Sequence, residues 1–346
     1  MTTLRSHILS LLLACLALAG SVSSCVKGED STDTKANNIE ALWKLIDEHY
    51  CFFEYKEKEI GLDWNAVRTK YLAQVRGGMT NQQLFEVMSN MLAELRDGHV
   101  NLIASFDYAR NWSYFEDYPA NYNDSIVRAT YLGTDYKIAS GLYYKVLDDN
   151  IGYIRVPSFA TGIGNGNVSI ALYELGLCTG LIIDVRNNGG GEMDNAKTLA
   201  SHFVNERTLV GYTSHKTGKG HYDLSEPKAE YLKPSGDGVR WQKKCVVLTN
   251  RQCYSATNDF VKLMKTSPLV TVMGDRTGGG SGMPFTSELP NGWAVRYSAV
   301  IFYDRNMQHT EFGIQPDIPL TMSGTDTGQQ KDTYIEYARQ WLNNNK

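Results

Sequence analysis

Positive charge is not in surplus in this chain: 34 Lys and Arg stand against 38 Asp and Glu, for a formal net charge of −4. That balance offers no basic surface for nucleic acid, and none is expected as a partner. Cysteine is scarce, with six in 346 residues. Setting aside Cys15 and Cys25, the other four (Cys51, Cys178, Cys245 and Cys253) show no CxxC or other metal-ligand spacing. No metal and no cofactor are therefore expected. Buried free thiols are the default reading, and a disulfide is the alternative if the compartment is oxidising. Internal repeats are absent. The hydrophobic share of 42% suffices for one large domain with an ordinary core.

The N-terminus carries an address. Arg5 precedes an apolar run from Ile8 to Gly20, followed by small residues. Such a run reads as a secretory signal, too short to span a membrane in the mature protein. Val22-Ser-Ser-Cys25 resembles a bacterial lipobox, which implies lipid attachment at Cys25 and a place in the cell envelope; an ordinary signal-peptidase cut is the alternative. Residues 1–24 are then the signal peptide, and 25–38 form a polar tether. Acidic residues soon after Cys25 resemble the surface-export signal of some Bacteroidetes lipoproteins.

Residues 39–100 read as a helical subdomain. Ile39, Leu42, Trp43, Ile46 and Tyr50 share one helical face, as do Trp64, Val67, Tyr71, Leu72 and Val75. Thr80-Asn-Gln-Gln83 fits a capping box ahead of the stripe Leu84, Val87, Met88, Met91, Leu92 and Leu95. Residues 101–140 form a connecting segment crowded with aromatics, which either line a substrate groove or pack onto their own domain. From 141 onward the pattern is α/β. Strand-like runs at 142–147, 151–156, 180–185 and 245–249 alternate with helical patterns at 168–176 and 194–204. Asn291-Gly292 marks a tight hairpin, 214–240 reads as a surface loop with solvated His215 and His221, and Asp332 caps a closing helix.

Three stretches point to chemistry. Ser255 stands between the buried run Cys245–Thr249 and a helical pattern carrying Phe260, Val261, Leu263 and Met264. A hydroxyl at such a turn lies among the first free amides of a helix, which favour the negative charge of an acyl-transfer intermediate; otherwise the serine merely caps the helix. The run Leu181–Val185 leads through Arg186-Asn-Asn into Gly189-Gly-Gly191, where the backbone can approach a ligand and turn its amides outward. His99, between a helix and a strand-like run, is a candidate general base, and Glu311 could orient or charge-stabilise it.

In order along the chain, Leu95-Arg-Asp-Gly-His-Val100, Ile183–Gly191, Tyr254-Ser255-Ala-Thr-Asn258, Gly274-Asp-Arg-Thr-Gly278 and Gly313-Ile-Gln-Pro-Asp-Ile318 resemble the C-terminal processing (tail-specific) serine peptidases and their Tricorn-like branch. The resemblance implies a crotonase/ClpP-like α/β core and a serine-type peptidase acting on peptide or protein substrates. Ser255 would be its nucleophile, His99 its base and Glu311 the support of the base. Amides of Gly189 or Gly190 and of Ala256 would hold the oxyanion.

Two departures qualify the resemblance. The processing peptidases use a Ser–Lys dyad, yet Gly280 stands where the lysine should be, and no lysine occurs between Lys265 and Lys331. That shifts the likeness toward the Tricorn-like branch, which has a serine before its histidine where this chain has Gly98; Asp97 or a water would then link His99 to Glu311. No PDZ module is evident in 104–140. The missing lysine keeps a catalytically silent peptide- or glycan-binding lipoprotein as a rival reading, and an esterase on the same scaffold is another.

Overall fold

The structure, a computed structural model, describes residues 33–236 and 238–345. The apolar N-terminal run and Cys25 lie outside the described residues.

Four helices open the described residues. α1 (Lys35–His49) is capped by Thr34, α2 (Phe53–Ile60) ends on Gly61 in the left-handed region, and α3 (Trp64–Leu72) is capped by Asp63. α4 (Asn81–Ala93) starts with both bonds of the expected capping box between Thr80 and Gln83, and buries Leu84, Val87, Met88, Met91 and Leu92. Only α2 has no counterpart in the sequence reading. Its eight residues hold five charged side chains, and the pattern hides that Phe53 and Lys56 both point inward.

Two sheets follow. The first contains β1 (Asn101–Ile103), β2 (Tyr108–Arg110), β7 (Thr208–His215), β8 (Lys228–Leu232), β11 (Gly282–Glu288) and β12 (Ala294–Asp304). The long β12 pairs with β1, β7 and β11, so residues just after the helices join a hairpin from late in the chain. That hairpin turns at Asn291-Gly292 as the sequence indicates, with Gly292 at φ 79°. The helices bury Leu102, Val295, Tyr297 and Ile301 in one core with their own apolar faces. Residues 214–240 differ from the expected loop, because Lys228–Leu232 adds as an edge strand to β7. His221 is held between Asp47 and Glu57 rather than solvated, with Nε2 at 2.6 Å and Nδ1 at 3.3 Å from their carboxylates.

The second sheet runs β13-β10-β9-β6-β5-β4-β3, where β3 is Lys137–Ala139, β4 Leu142–Val146, β5 Ile151–Arg155, β6 Gly180–Asp184, β9 Cys245–Thr249, β10 Val270–Gly274 and β13 Ile318–Pro319. From β5 to β13 the pairing is parallel. β5, β6 and β9 are buried at every residue, as parallel strands covered on both faces must be. One face packs against α5 (Asn165–Glu174), α6 (Met193–Ser201) and α7 (Ala256–Met264); the other packs against α8 (Thr333–Asn344) and residues 126–132. Asp332 caps α8 and both its oxygens accept from Nη1 of the buried Arg186 guanidinium at 3.0 Å, while Asp184 accepts from Nε and Nη2, tying the loop after β6 to the C-terminal helix. Cys51, Cys178, Cys245 and Cys253 are all buried and free. No helix among the described residues is long and apolar enough to cross a membrane.

Candidate active site

The carboxyl ends of adjacent parallel strands are where open α/β sheets place ligands. The loops that leave β6 and β9 meet there. Asn250 and Asn187 join them side chain to side chain: Asn250 Nδ2 donates to Asn187 Oδ1 at 2.6 Å, and the Asn187 amide donates to Asn250 Oδ1 at 2.9 Å. Asn188 completes the link by accepting from the Tyr254 amide and from the Gly190 amide, each at about 3 Å. These asparagines carry no role in the sequence reading.

Ser255 sits at the start of α7 with φ 58° and ψ −123°, a conformation that costs a non-glycine residue roughly 1–3 kcal/mol. Its amide donates to Gly279 O at 2.9 Å, and the Thr257 amide donates to Tyr254 O at 3.1 Å. The side chain makes no capping bond. This corrects the reading of Ser255 as a helix cap. The strained turn aims the hydroxyl away from the helix, and Oγ lies 3.0 Å from His99 Nε2.

His99 is 3% exposed. Burial lowers its pKa to about 4; Asp97 opposes this, and Arg296 and Arg110 add to it. The ring is therefore neutral near pH 7, and with its proton on Nδ1 it accepts from the serine hydroxyl. Nδ1 makes no hydrogen bond of ordinary geometry, although the Gly282 backbone is close enough to favour a proton there.

Asp97 holds His99 through the main chain. Its carboxylate accepts from the His99 amide at 2.7 Å, Tyr50 Oη at 3.0 Å, Ser298 Oγ at 3.2 Å and Tyr254 Oη at 3.4 Å. Glu311 is placed elsewhere. It makes no hydrogen bond to His99; Oε2 accepts from the Ser281 amide at 2.8 Å, and Oε1 faces Lys56 Nζ at 3.3 Å. Burial, with Asp97 nearby, raises its pKa above the usual carboxylate range, while Lys56 pulls the other way. Lys56 is fully buried, 4.0 Å above the Phe312 ring. Sequence reasoning missed this lysine, because a charge inside an unrecognised helix gives no sign that it points inward.

Tyr254 fills the middle of the site. Its ring stacks on Tyr114 at 4.3 Å and meets His99 edge-on at 5.0 Å. A Cβ on Gly98 would lie 2.7 Å from its hydroxyl, which explains why no serine precedes His99. Through Tyr114 the aromatic segment packs onto the site, while Phe106 packs on Phe85 and Trp293.

Of the amides expected to hold an oxyanion, that of Gly190 is already given to Asn188 Oδ1. Gly190, at φ 105°, packs so closely that a Cβ would stand 2.9 Å from Ser255 Cβ. The amides of Gly189 and Ala256 have no hydrogen-bond partner among the described residues, and Gly189 has open space before it. A serine hydroxyl against a neutral imidazole, beside two unpaired amides, is an arrangement with the chemistry that acyl transfer needs.

Comparisons with known proteins give the family. Residues 150–320 match peptidase family S41, and residues 32–93 match the Tricorn protease C1 domain. The crystal structure of a candidate peptidase from Parabacteroides merdae ATCC 43184 is 51% identical, with a TM-score of 0.85 over 90% of this chain and 97% of that one. The carboxy-terminal processing protease CtpA of Bacillus subtilis is 26% identical over 180 residues, 51% of this chain and 36% of the relative. The Tricorn protease of Thermoplasma acidophilum is 27% identical over 192 residues, 54% of this chain and 16% of the relative. The matched stretch thus spans little more than a third of the first of these two proteases and less of the second. With two matching domains in order along the chain and a relative sharing half its residues over nearly the whole fold, this chain belongs to peptidase family S41.

Proposed function

We propose that the chain is a lipid-anchored, serine-type peptidase of the cell envelope that hydrolyses peptide bonds through Ser255 and His99. The observation that carries this reading is the 3.0 Å contact between Ser255 Oγ and His99 Nε2 at a strained strand-to-helix turn. Ser255 attacks the scissile carbonyl while His99 takes the hydroxyl proton and returns it to the leaving amine. The amides of Gly189 and Ala256 receive the oxyanion, and water then releases the acyl group. Asp97 fixes the position of His99 and supplies the negative charge that favours the imidazolium. Glu311 serves one step removed, holding Lys56 and the Ser281 backbone. The protease names of the relatives support peptide as substrate. The anchor rests on Val22-Ser-Ser-Cys25 and the apolar run before it.

A fluorophosphonate probe tests the nucleophile, since only an activated serine reacts. Labelling of the wild type that vanishes in Ser255→Ala and His99→Ala is the expected result; an unlabelled wild type would sink the proposal. Membrane fractionation tests the anchor: Cys25→Ala should release the protein and abolish fatty-acid incorporation. A variant that stayed membrane-bound and labelled would remove the anchor from the reading.

A further inference from the structure

The face of the first sheet that points away from the helices carries two arginines beside the site. Asn101 on β1 is opposite Arg110 on β2 and opposite Arg296 on β12. Leu102, Ala109 and Val295 alternate with them and pack into the helical core, so Arg110, Asn101 and Arg296 share the other face. Ser298, two residues along from Arg296, reaches Asp97 from that same face. The Arg110 guanidinium lies 3.9 Å over the Trp112 ring and 5.4 Å from the Tyr254 ring. Among the described residues, Arg296 Nη1 reaches only Asn101 Oδ1, at 3.5 Å.

Neither arginine forms an ion pair among the described residues, whereas Arg68, Arg128, Arg186, Arg251 and Arg339 all do. Arg110 Nε is buried with no hydrogen-bond partner among the described residues, although the guanidinium interacts with Tyr114. Two guanidinium groups without counter-ions, one with a buried donor unmet, are costly for the protein alone and suited to an arriving anion. Both are close enough to His99 to act on its charge. Trp112 and Tyr108, 36% and 49% exposed, border them with apolar surface.

We propose that Arg110 and Arg296 form a carboxylate subsite beside Ser255, which takes a carboxylate of the peptide substrate: an acidic side chain near the scissile bond or the peptide's own C-terminus. The planar fork of each guanidinium matches a carboxylate in two-point contact, and the aromatic border receives the adjoining chain. The subsite rests on the reading of Ser255 as a peptidase nucleophile, but it can be tested apart from turnover.

The test uses the Ser255→Ala protein and three alanine–serine heptapeptides labelled at the N-terminus with an uncharged coumarin. One ends in a free carboxylate, one ends in an amide, and one ends in an amide and carries a central glutamate. Fluorescence anisotropy should show at least one carboxylate-bearing peptide binding tenfold or more tighter than the neutral amide. A gain for the free acid alone assigns the C-terminus, and a gain for the glutamate peptide alone assigns the side chain. Adding Arg110→Gln or Arg296→Gln should bring the carboxylate-bearing peptides down to the affinity of the neutral amide, and Arg296→Lys should restore part of the difference. Equal affinity for all three peptides, or no binding of any at millimolar protein, would overturn the subsite; that comparison needs no arginine variant and so survives misfolding of one. Failure of the peptidase reading shows separately, as absent fluorophosphonate labelling of the wild type.

Discussion

The ring of Tyr254 occupies the space into which a side chain at Gly280 would grow: a Cβ there would lie 2.4 Å from Tyr254 Cζ. Gly280 also has φ 77°, which disfavours any other residue. The lysine of a Ser–Lys dyad therefore has no room at the position where the sequence would align it. The space belongs instead to a tyrosine whose ring meets that of His99.

This relationship predicts that Gly280→Ala will be severe for so small a change. The positive φ alone costs roughly 1–3 kcal/mol, and displacing Tyr254 adds to it. Thermal unfolding should show a clear loss of stability, and fluorophosphonate labelling should fall as His99 loses its edge contact. Gly280→Lys should not restore dyad chemistry. A stable, fully labelled Gly280→Ala would mean that the ring yields easily and is not a fixed part of the site.

The pH dependence of turnover should reveal the burial of His99. With the ring's pKa held near 4, the acid limb of kcat/KM should fall there rather than near the ordinary histidine value of about 6.5. The sign for stability is the same. Between those two values the unfolded chain binds more protons, so His99 makes the fold less stable as pH falls through that window, by on the order of 3 kcal/mol in all. Glu311 works in the opposite direction, since its raised pKa gives the folded state the extra proton and costs stability as pH rises. Comparing melts of wild type and His99→Gln between pH 4 and 7 isolates the histidine. A wild-type limb near 6.5 would show a solvated ring.

Lys56 and Glu311 should behave as a buried pair. Removing one partner strands the other charge, so Lys56→Met should cost about 3–5 kcal/mol. Glu311→Gln should cost less, because the amide oxygen can still accept from the Ser281 amide or from Lys56 Nζ. The double variant should be more stable than the sum of the singles predicts. If Glu311→Gln instead cut turnover a hundredfold without moving the melting temperature, Glu311 would return to the role of direct support for His99.

Ser255→Ala should remove the chemistry and little else. Turnover should drop on the order of 10⁵–10⁶-fold, as when the nucleophile of a serine protease is deleted. Because the hydroxyl caps nothing, stability should change by about 0.5 kcal/mol or less. A loss nearer 1 kcal/mol would point to a capping role that the hydroxyl does not have in this geometry.

Much of this protein was legible along the chain, because local physics wrote it there. The capping box at Thr80, the continuous apolar runs of β5, β6 and β9 and the Asn-Gly turn each depend on a few neighbouring residues. Ser255, His99 and the glycine loop were also visible, since each lies at a change of local pattern. What the chain could not specify was who meets whom. His99 reaches Ser255 across 156 positions, and Lys56 reaches Glu311 across 255. Whether Glu311 supports the base or a lysine, and whether position 280 can hold a side chain, depends on groups brought together by β12 joining β1 and by α2 turning Lys56 inward. Helix and strand periods say which face is apolar; only packing decides which charges share a buried space, and there desolvation sets both pKa and role.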